Sequence, residues 1–362
     1  MSERIDAINL RDLEERARAV LPQMSYDFYA SGANDEITLR ENRAAYERIK
    51  VLPRMLIDVS ARDLSTTVLG EPVSMPILIA PMALQCLAHP DGEIATTKAA
   101  GAAKTLTTLA TLATTSIEEV MAIATGPVWF QLYVFRDRAL AASLVQRAEA
   151  AGCRAIVLTL DVPVPGKRER DVRNRFTLPE HLFLKNLWPA GLAKLPKDVT
   201  DSGMAAYTAA NFDPALTWKD VNWLAQITKL PVVVKGILRA DDALSAVNHG
   251  AAGIVVSNHG GRQLDTTPAA ISVLPEIVDA VAGAVEVYVD GGIRRGTDVL
   301  KAIAYGARAV LIGRPILWGL AVGGEAGVKS VLEMLRAEFD LAMALSGCPN
   351  LTAITRDLVC PF

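Results

Sequence analysis

The residues with the clearest chemical potential are the nine of Ser257-Asn258-His259-Gly260-Gly261-Arg262-Gln263-Leu264-Asp265. A histidine takes up a proton near neutral pH. Arg262, three residues on, has the planar fork that grips a carboxylate through two parallel hydrogen bonds. His259 and Arg262 therefore read as a base beside an acid-binding fork. The string follows Gly253-Ile254-Val255-Val256, an apolar run of the kind that forms a fully buried parallel strand. Polar side chains at the end of such a strand sit where parallel α/β folds keep their active sites.

Two further turns combine glycine with arginine: Asp290-Gly291-Gly292-Ile293-Arg294-Arg295-Gly296 and Gly313-Arg314-Pro315. Glycine lets the backbone approach a phosphate closely, and helix N-terminal amides with Arg294 or Arg314 would neutralise it. The sequence has no Gly-x-Gly-x-x-Gly between a strand and a helix and no P-loop. A phosphate-bearing cofactor in a barrel is thus expected in preference to a Rossmann dinucleotide. Gln131, Tyr133, Thr159, Asp161 and Lys235 stand at the ends of other apolar runs. Lys235 closes Val232-Val233-Val234, and a buried ammonium needs a counter-charge, for which an anionic cofactor group is well placed. Asp161 reads as the carboxylate that orients His259 and stabilises its protonated form, with a helix cap or loop carboxylate as the alternative.

The elements that must carry these residues are legible as eight short β-rich runs: Pro76–Ala80, Thr105–Ala110, Val128–Tyr133, Ala155–Leu160, Pro231–Lys235, Gly253–Ser257, Val285–Asp290 and Ala309–Gly313. Between most of them lies one helix's worth of residues, such as Leu140–Ala151 or Ala240–His249. Eight βα units predict an α/β protein, a (β/α)8 TIM barrel over 76–362, preceded by an N-terminal helical segment over 1–75, in one domain of 362 residues. Asn9 is expected to cap a helix over Leu10–Leu21, with Pro22 and Gly32 punctuating the stretch after it. The connection 163–218 opens with the charged Gly166–Arg173 and shows no clear periodicity, so a structureless lid loop after the fourth strand is expected.

Composition narrows the partners. Hydrophobic residues are 51% of the chain and charged residues 21%, enough for an extensive core, and a net charge of −3 gives no reason to expect nucleic acid. The four cysteines, Cys86, Cys153, Cys348 and Cys360, show neither zinc-ligand spacing nor a disulfide framework. No apolar run approaches the ~20 residues that span a bilayer. Met1 to Asp12 does not read as a signal peptide, and Leu358–Phe362 carries no peroxisomal address. A soluble, cytoplasmic protein with no membrane partner is the expectation.

Ser257–Asp265, Asp290–Gly296 and Gly313–Pro315 resemble the FMN-dependent α-hydroxy acid oxidase/dehydrogenase family, which includes glycolate oxidase, L-lactate oxidase and mandelate dehydrogenase. Tyr26–Gly32, Phe130–Tyr133 and Ala344–Cys348 also look like it, and the similarity runs from about Leu10 to Ile354. The resemblance implies FMN as cofactor, a small 2-hydroxy acid and O2 as partners, and a homotetramer. It casts His259 as the base, Asp161 as its partner, Arg262 and Arg168 as the carboxylate clamp, and Tyr133 as a substrate-binding hydroxyl. Lys235 falls beside the flavin N1/O2 edge. Pro81, Met82, Ala83, Gln131, Thr159, Ser257, Asp290, Gly291, Gly292, Arg294, Gly313 and Arg314 match flavin and phosphate contacts. A flavin suits the chemistry, since oxidising a hydroxy acid leaves two electrons that no side chain accepts.

Three departures bear on selectivity. Phe28 stands where glycolate oxidases carry a second substrate-binding tyrosine, Leu112 where they have a tryptophan, and Ala110 where a serine usually touches the flavin. Met82, Leu112 and Phe212 together read as an apolar lining for a substituent larger than hydrogen. An oxidase acting on L-lactate or a larger L-2-hydroxy acid, producing a 2-oxo acid and hydrogen peroxide, is the leading expectation. A dehydrogenase passing electrons to a quinone or other acceptor, or a phosphate-binding barrel isomerase, are the rivals.

Overall fold

In the computed structural model, which describes residues 7–197 and 200–361, eight parallel strands close into a barrel. They are β1 (Ile77–Met82), β2 (Thr107–Leu109), β3 (Val128–Leu132), β4 (Ala155–Thr159), β5 (Val232–Ile237), β6 (Gly253–Val256), β7 (Glu286–Asp290) and β8 (Ala309–Ile312). Each falls on one of the eight runs anticipated, with ends shifted by up to two residues, and β8 pairs with β1 to close the ring. Their side chains are buried on both faces because helices cover the outside and packed side chains fill the inside. Inside, Leu78, Leu106, Trp129, Val157, Val233, Val255, Tyr288 and Leu311 form a cluster of their own. A hairpin of Thr66–Val68 and Glu71–Val73 adds Val68 and Val73 to this cluster and so plugs one end.

The N-terminal segment is only partly helical. Asn9 caps the helix Leu10–Val20 as expected, its side chain accepting from the amides of Arg11 and Asp12. Helices Gln23–Ala30 and Ile37–Arg48 come next, but Ile49–Val51 then pairs antiparallel with Val359–Pro361, and the plug hairpin lies beyond it. These strands are three residues long, too short to show a period in the sequence. Met1 to Asp6, which open the segment read as unlike a signal peptide, and Phe362 lie outside the described residues.

The connection 163–218 is not structureless. It holds the helices Glu169–Arg173 and Gly203–Asn211 and a 3-10 turn over Lys185–Ala190. Its buried apolar residues, Phe176, Leu184 and Leu187 among them, follow no regular spacing, and other fixed points are polar, so no apolar period announced it. Asn186 accepts from the amide of Ile117 and donates to the carbonyls of Ala110 and Thr111, while Ser202 caps the helix Gly203–Asn211. The segment folds over the end of the barrel where β3, β4 and β6 deliver their polar residues.

Candidate active site

The chain leaving β6 turns sharply, with His259, Gly260 and Gly261 all in the left-handed region. That turn points His259 back toward the residues leaving β4, where its Nδ1 lies 2.8 Å from Asp161 Oδ1. Asp161 fits because Gly236, at φ +109, leaves its Cβ position clear; an added methyl would sit 2.7 Å from the Asp161 side chain. Burial alone would raise the Asp161 pKa, but His259 and Lys235 outweigh it and hold the carboxyl below its usual range. Burial pushes His259 down, reinforced by Lys235 and opposed by Asp161. At neutral pH the imidazole is therefore neutral and the carboxylate ionised. Nδ1 donates to Asp161, which leaves Nε2 with its lone pair toward the cavity.

The lysine of β5 is 4% exposed and has two partners, Ser257 Oγ at 2.9 Å and Asp290 Oδ2 at 3.3 Å. Burial works against its charge, yet Asp290 and Asp161 prevail and the pKa is raised, so Lys235 is an ammonium. Gln131 donates to Thr159 Oγ1 at 3.0 Å and accepts from the Thr111 amide. A single cavity is lined by Pro81, Met82, Ala83, Ala110, Gln131, Tyr133, Thr159, Lys235, His259, Asp290, Gly291, Gly292, Arg294, Gly313 and Arg314. It encloses about 1290 Å³, counting the space open at its mouth. Two anticipated residues stand behind the wall instead. Ser257 is fully buried, its hydroxyl engaged by Lys235 and by the His259 amide, and Asp161 lies beneath His259.

The Gly291–Gly292 turn leans on the helix Ile37–Arg48. A side chain at Gly292, where φ is +81, would lie 1.9 Å from the Asn42 carbonyl oxygen. Arg314 opens the helix Arg314–Leu345. Its guanidinium donates to the carbonyls of Tyr29, Gly260 and Ser31, and burial with Arg294 nearby pushes its pKa down to about 10. Two arginines at glycine turns and a helix N-terminus form a cradle short of negative charge, which a phosphate would supply. One oxygen of buried Asp290 also has no partner, as expected where a cofactor donor belongs. These residues fit FMN: Gly291, Gly292, Arg294 and Arg314 would hold the phosphate, and Lys235, Gln131 and Thr159 the ring.

Arg168 and Arg262 converge as anticipated, but through an aromatic ring. The guanidiniums lie 5.9 and 5.3 Å from the ring centroid of Phe28, which stacks on Phe176 at 4.3 Å. Phe28 thus holds the two cations by its face, although it lacks a hydroxyl for a substrate. Arg262 Nη1 donates to the carbonyls of Phe28 and Ser31. Burial, then Arg168 and Arg314, push its pKa well down against the pull of Asp171, so this end of the cavity is also short of negative charge. Tyr133, whose phenol burial keeps protonated, stacks on Phe212 at 4.6 Å. Phe212, Met82 and Leu112 share an apolar wall with Val162, Met204 and Thr208. Sequence reasoning missed the last three. The only signal was the four-residue spacing of Met204, Thr208 and Phe212, which puts them on one face of a helix. It also missed Gln263, which donates to the carbonyls of Asp161 and Val164 and accepts from the Gly166 amide, tying the two loops together.

Fold and site define a (β/α)8 oxidoreductase with a cradle for a phosphorylated redox cofactor beside a neutral histidine and two arginines. The profile of the FMN-dependent dehydrogenase family matches residues 17–361. Glycolate oxidase 1 of Oryza sativa subsp. indica is 57% identical over 348 residues, 96% of this chain and 94% of that protein. An L-lactate oxidase of Nostoc sp. is 56% identical over 351 residues, 96% of each chain. The crystal structure of mandelate oxidase with (S)-4-hydroxymandelic acid superposes with a TM-score of 0.93 at 48% identity, covering 97% of this chain and 98% of that one. This chain belongs to the FMN-dependent dehydrogenase family, and its cofactor is FMN.

Proposed function

We propose that this protein oxidises an L-2-hydroxy acid to the 2-oxo acid, that it prefers L-lactate or a larger acid to glycolate, and that O2 is the electron acceptor and leaves as hydrogen peroxide. The observation that carries the preference is the apolar wall of Met82, Leu112, Val162, Met204 and Phe212, in one cavity with His259 and both arginines. Glycolate puts only hydrogen against such a wall, whereas each methylene-sized group buried there gains ~0.8 kcal/mol. One such group discriminates by about 1–3 kcal/mol, so the preference is expected to be clear and incomplete.

Each polar side chain has a task in this reading. Arg168 and Arg262 fix the carboxylate, and Tyr133, kept protonated by burial, donates to the substrate. His259 Nε2 takes the hydroxyl proton, and Asp161 stabilises the imidazolium that results. FMN, when bound, supplies the two-electron sink. Lys235 keeps a fixed positive charge at the cofactor end.

The relatives act on acids of different size, as glycolate oxidase, L-lactate oxidase and mandelate oxidase, so their names leave the substrate open. The decisive comparison is kcat/KM for glycolate, L-lactate, longer 2-hydroxy acids and mandelate, with peroxide measured against oxygen consumed. Higher kcat/KM for glycolate than for L-lactate defeats the preference. Turnover only with a quinone or artificial acceptor defeats the oxidase.

The reading extends to a cytoplasmic homotetramer. All four cysteines are free, which suits a reducing compartment. Met55, Leu56 and Ile57 are consecutive and exposed, with Ile57 against Gly347, an apolar stretch that suits association of copies. Sedimentation at micromolar concentration tests the assembly, with a monomer as the contrary result.

A further inference from the structure

Asp171 is a buried carboxylate to which the proposed reaction gives no task. It lies in the short helix Glu169–Arg173, is 2% exposed, and neither of its oxygens has a hydrogen-bond partner among the described residues. Its one close charged contact is Arg168, whose Nε stands 3.4 Å away. Burial dominates its electrostatics and raises its pKa; Arg168 and then Arg262 pull against that, so both clamp arginines face it. An orphaned buried carboxylate is costly and calls for a reason.

Its position is held firmly. The Phe176 amide donates to the Asp171 carbonyl, and the Phe176 ring stacks on the Phe28 ring that lies under both guanidiniums. Neighbouring Asp27 does not duplicate it. Asp27 accepts from Gln23 and Asn174 and has Arg170 at 3.7 Å, so it is satisfied elsewhere. Asp171 thus sets a carboxyl group against the arginine pair, where Arg168 and Arg262 favour its charged form.

We propose that Asp171 is a positioning residue that acts as the resident counter-charge of the clamp: it holds Arg168 by its Nε edge and weakens the grip of Arg168 and Arg262 on carboxylates. The inference rests on reading the cavity as a 2-hydroxy acid site. In such a reaction the carboxylate survives unchanged, so two bare arginines would hold product as tightly as substrate. Binding both equally does not speed the chemistry and delays release. A fixed carboxylate opposite the bound one loosens both.

The test uses the FMN-loaded enzyme and pyruvate, titrated through the change in flavin absorbance. Asp171→Asn keeps the shape and an oxygen for Arg168 while removing the charge. The expected result is a Kd for pyruvate about tenfold lower, the order that loss of one like charge at partly screened range produces. Asp171→Glu, which keeps the charge, should stay near wild type, and KM for L-lactate should fall in Asp171→Asn without a matching rise in kcat. If Asp171→Asn fails to retain FMN, Asp171→Ser provides the neutral variant. A Kd unmoved or raised in the neutral variant, or changed equally by Asp171→Glu, overturns the inference and leaves a packing role. Wild-type flavin that no 2-hydroxy acid bleaches would instead overturn the reading beneath it.

Discussion

Asp161→Asn removes one charge and almost no volume, which makes it the cleanest probe of the proton-transfer step. In the resting enzyme the pair is a neutral imidazole donating to a carboxylate over 2.8 Å. When His259 takes the substrate's proton, the same contact becomes a charge pair in a site largely shielded from water. Asparagine offers that imidazolium only a dipole, and can turn its amide to present a donor to Nδ1 and so favour the wrong tautomer. Breaking a buried pair of this kind costs about 3–5 kcal/mol. At 1.36 kcal/mol per decade this slows flavin reduction by roughly 10²–10⁴-fold. The pH effect has a definite sign. Burial depresses the His259 pKa and Asp161 opposes it, so the acid limb of kcat/KM should lie below the ordinary ~6.5 in wild type and lower still in Asp161→Asn. Activity is complete above that limb and lost as pH falls through it. The assay is anaerobic stopped-flow reduction across pH. Reduction within tenfold of wild type, or an acid limb that moves upward, would refute the reasoning.

Other perturbations probe the rest of the site. Arg262→Lys cannot donate to backbone carbonyls from one nitrogen while offering a planar fork to a carboxylate, nor stack on Phe28, so transition-state binding read from kcat/KM should weaken by at least ~1–3 kcal/mol. Leu112→Trp should shift the kcat/KM ratio toward glycolate, whereas Phe28→Tyr should lower KM for both acids alike. An unmoved ratio in Leu112→Trp would show that this wall does not select. Gly292→Ala forces a methyl into contact with the Asn42 carbonyl oxygen at positive φ, so fluorescence titration should show weakened FMN binding.

The parallel strands were legible because burial on both faces makes each a short, unbroken apolar run, and the same runs end in the residues that line the cavity. His259, Arg262 and Lys235 stood out because polar side chains at or just past the end of an apolar strand have no part in its core, and the Gly291–Gly292 turn because paired glycines mark a close backbone approach. What stayed hidden depends on contacts between distant segments. From sequence Phe28 reads only as the residue in place of a tyrosine, and only the folded chain shows Arg168 and Arg262 on its face. The helix Gly203–Asn211 was missed because its start is fixed by the Ser202 cap and by close backbone packing of Gly203 against Phe176, while its buried face, Met204, Tyr207 and Thr208, is short and partly polar. Asp171 looked like one more charge in Gly166–Arg173, and its burial is a property of the packed lid alone.

In the proposed reaction His259 takes a proton from a 2-hydroxy acid while FMN takes the electrons. Anaerobic absorption spectra of wild type and His259→Ala, each loaded with FMN and mixed with L-lactate, test it most directly. The expected result is a yellow wild-type protein that bleaches, and a yellow variant whose bleaching is slower by ~10²–10⁴-fold or more. A protein unable to take up FMN, or a variant that bleaches as fast as wild type, would contradict it.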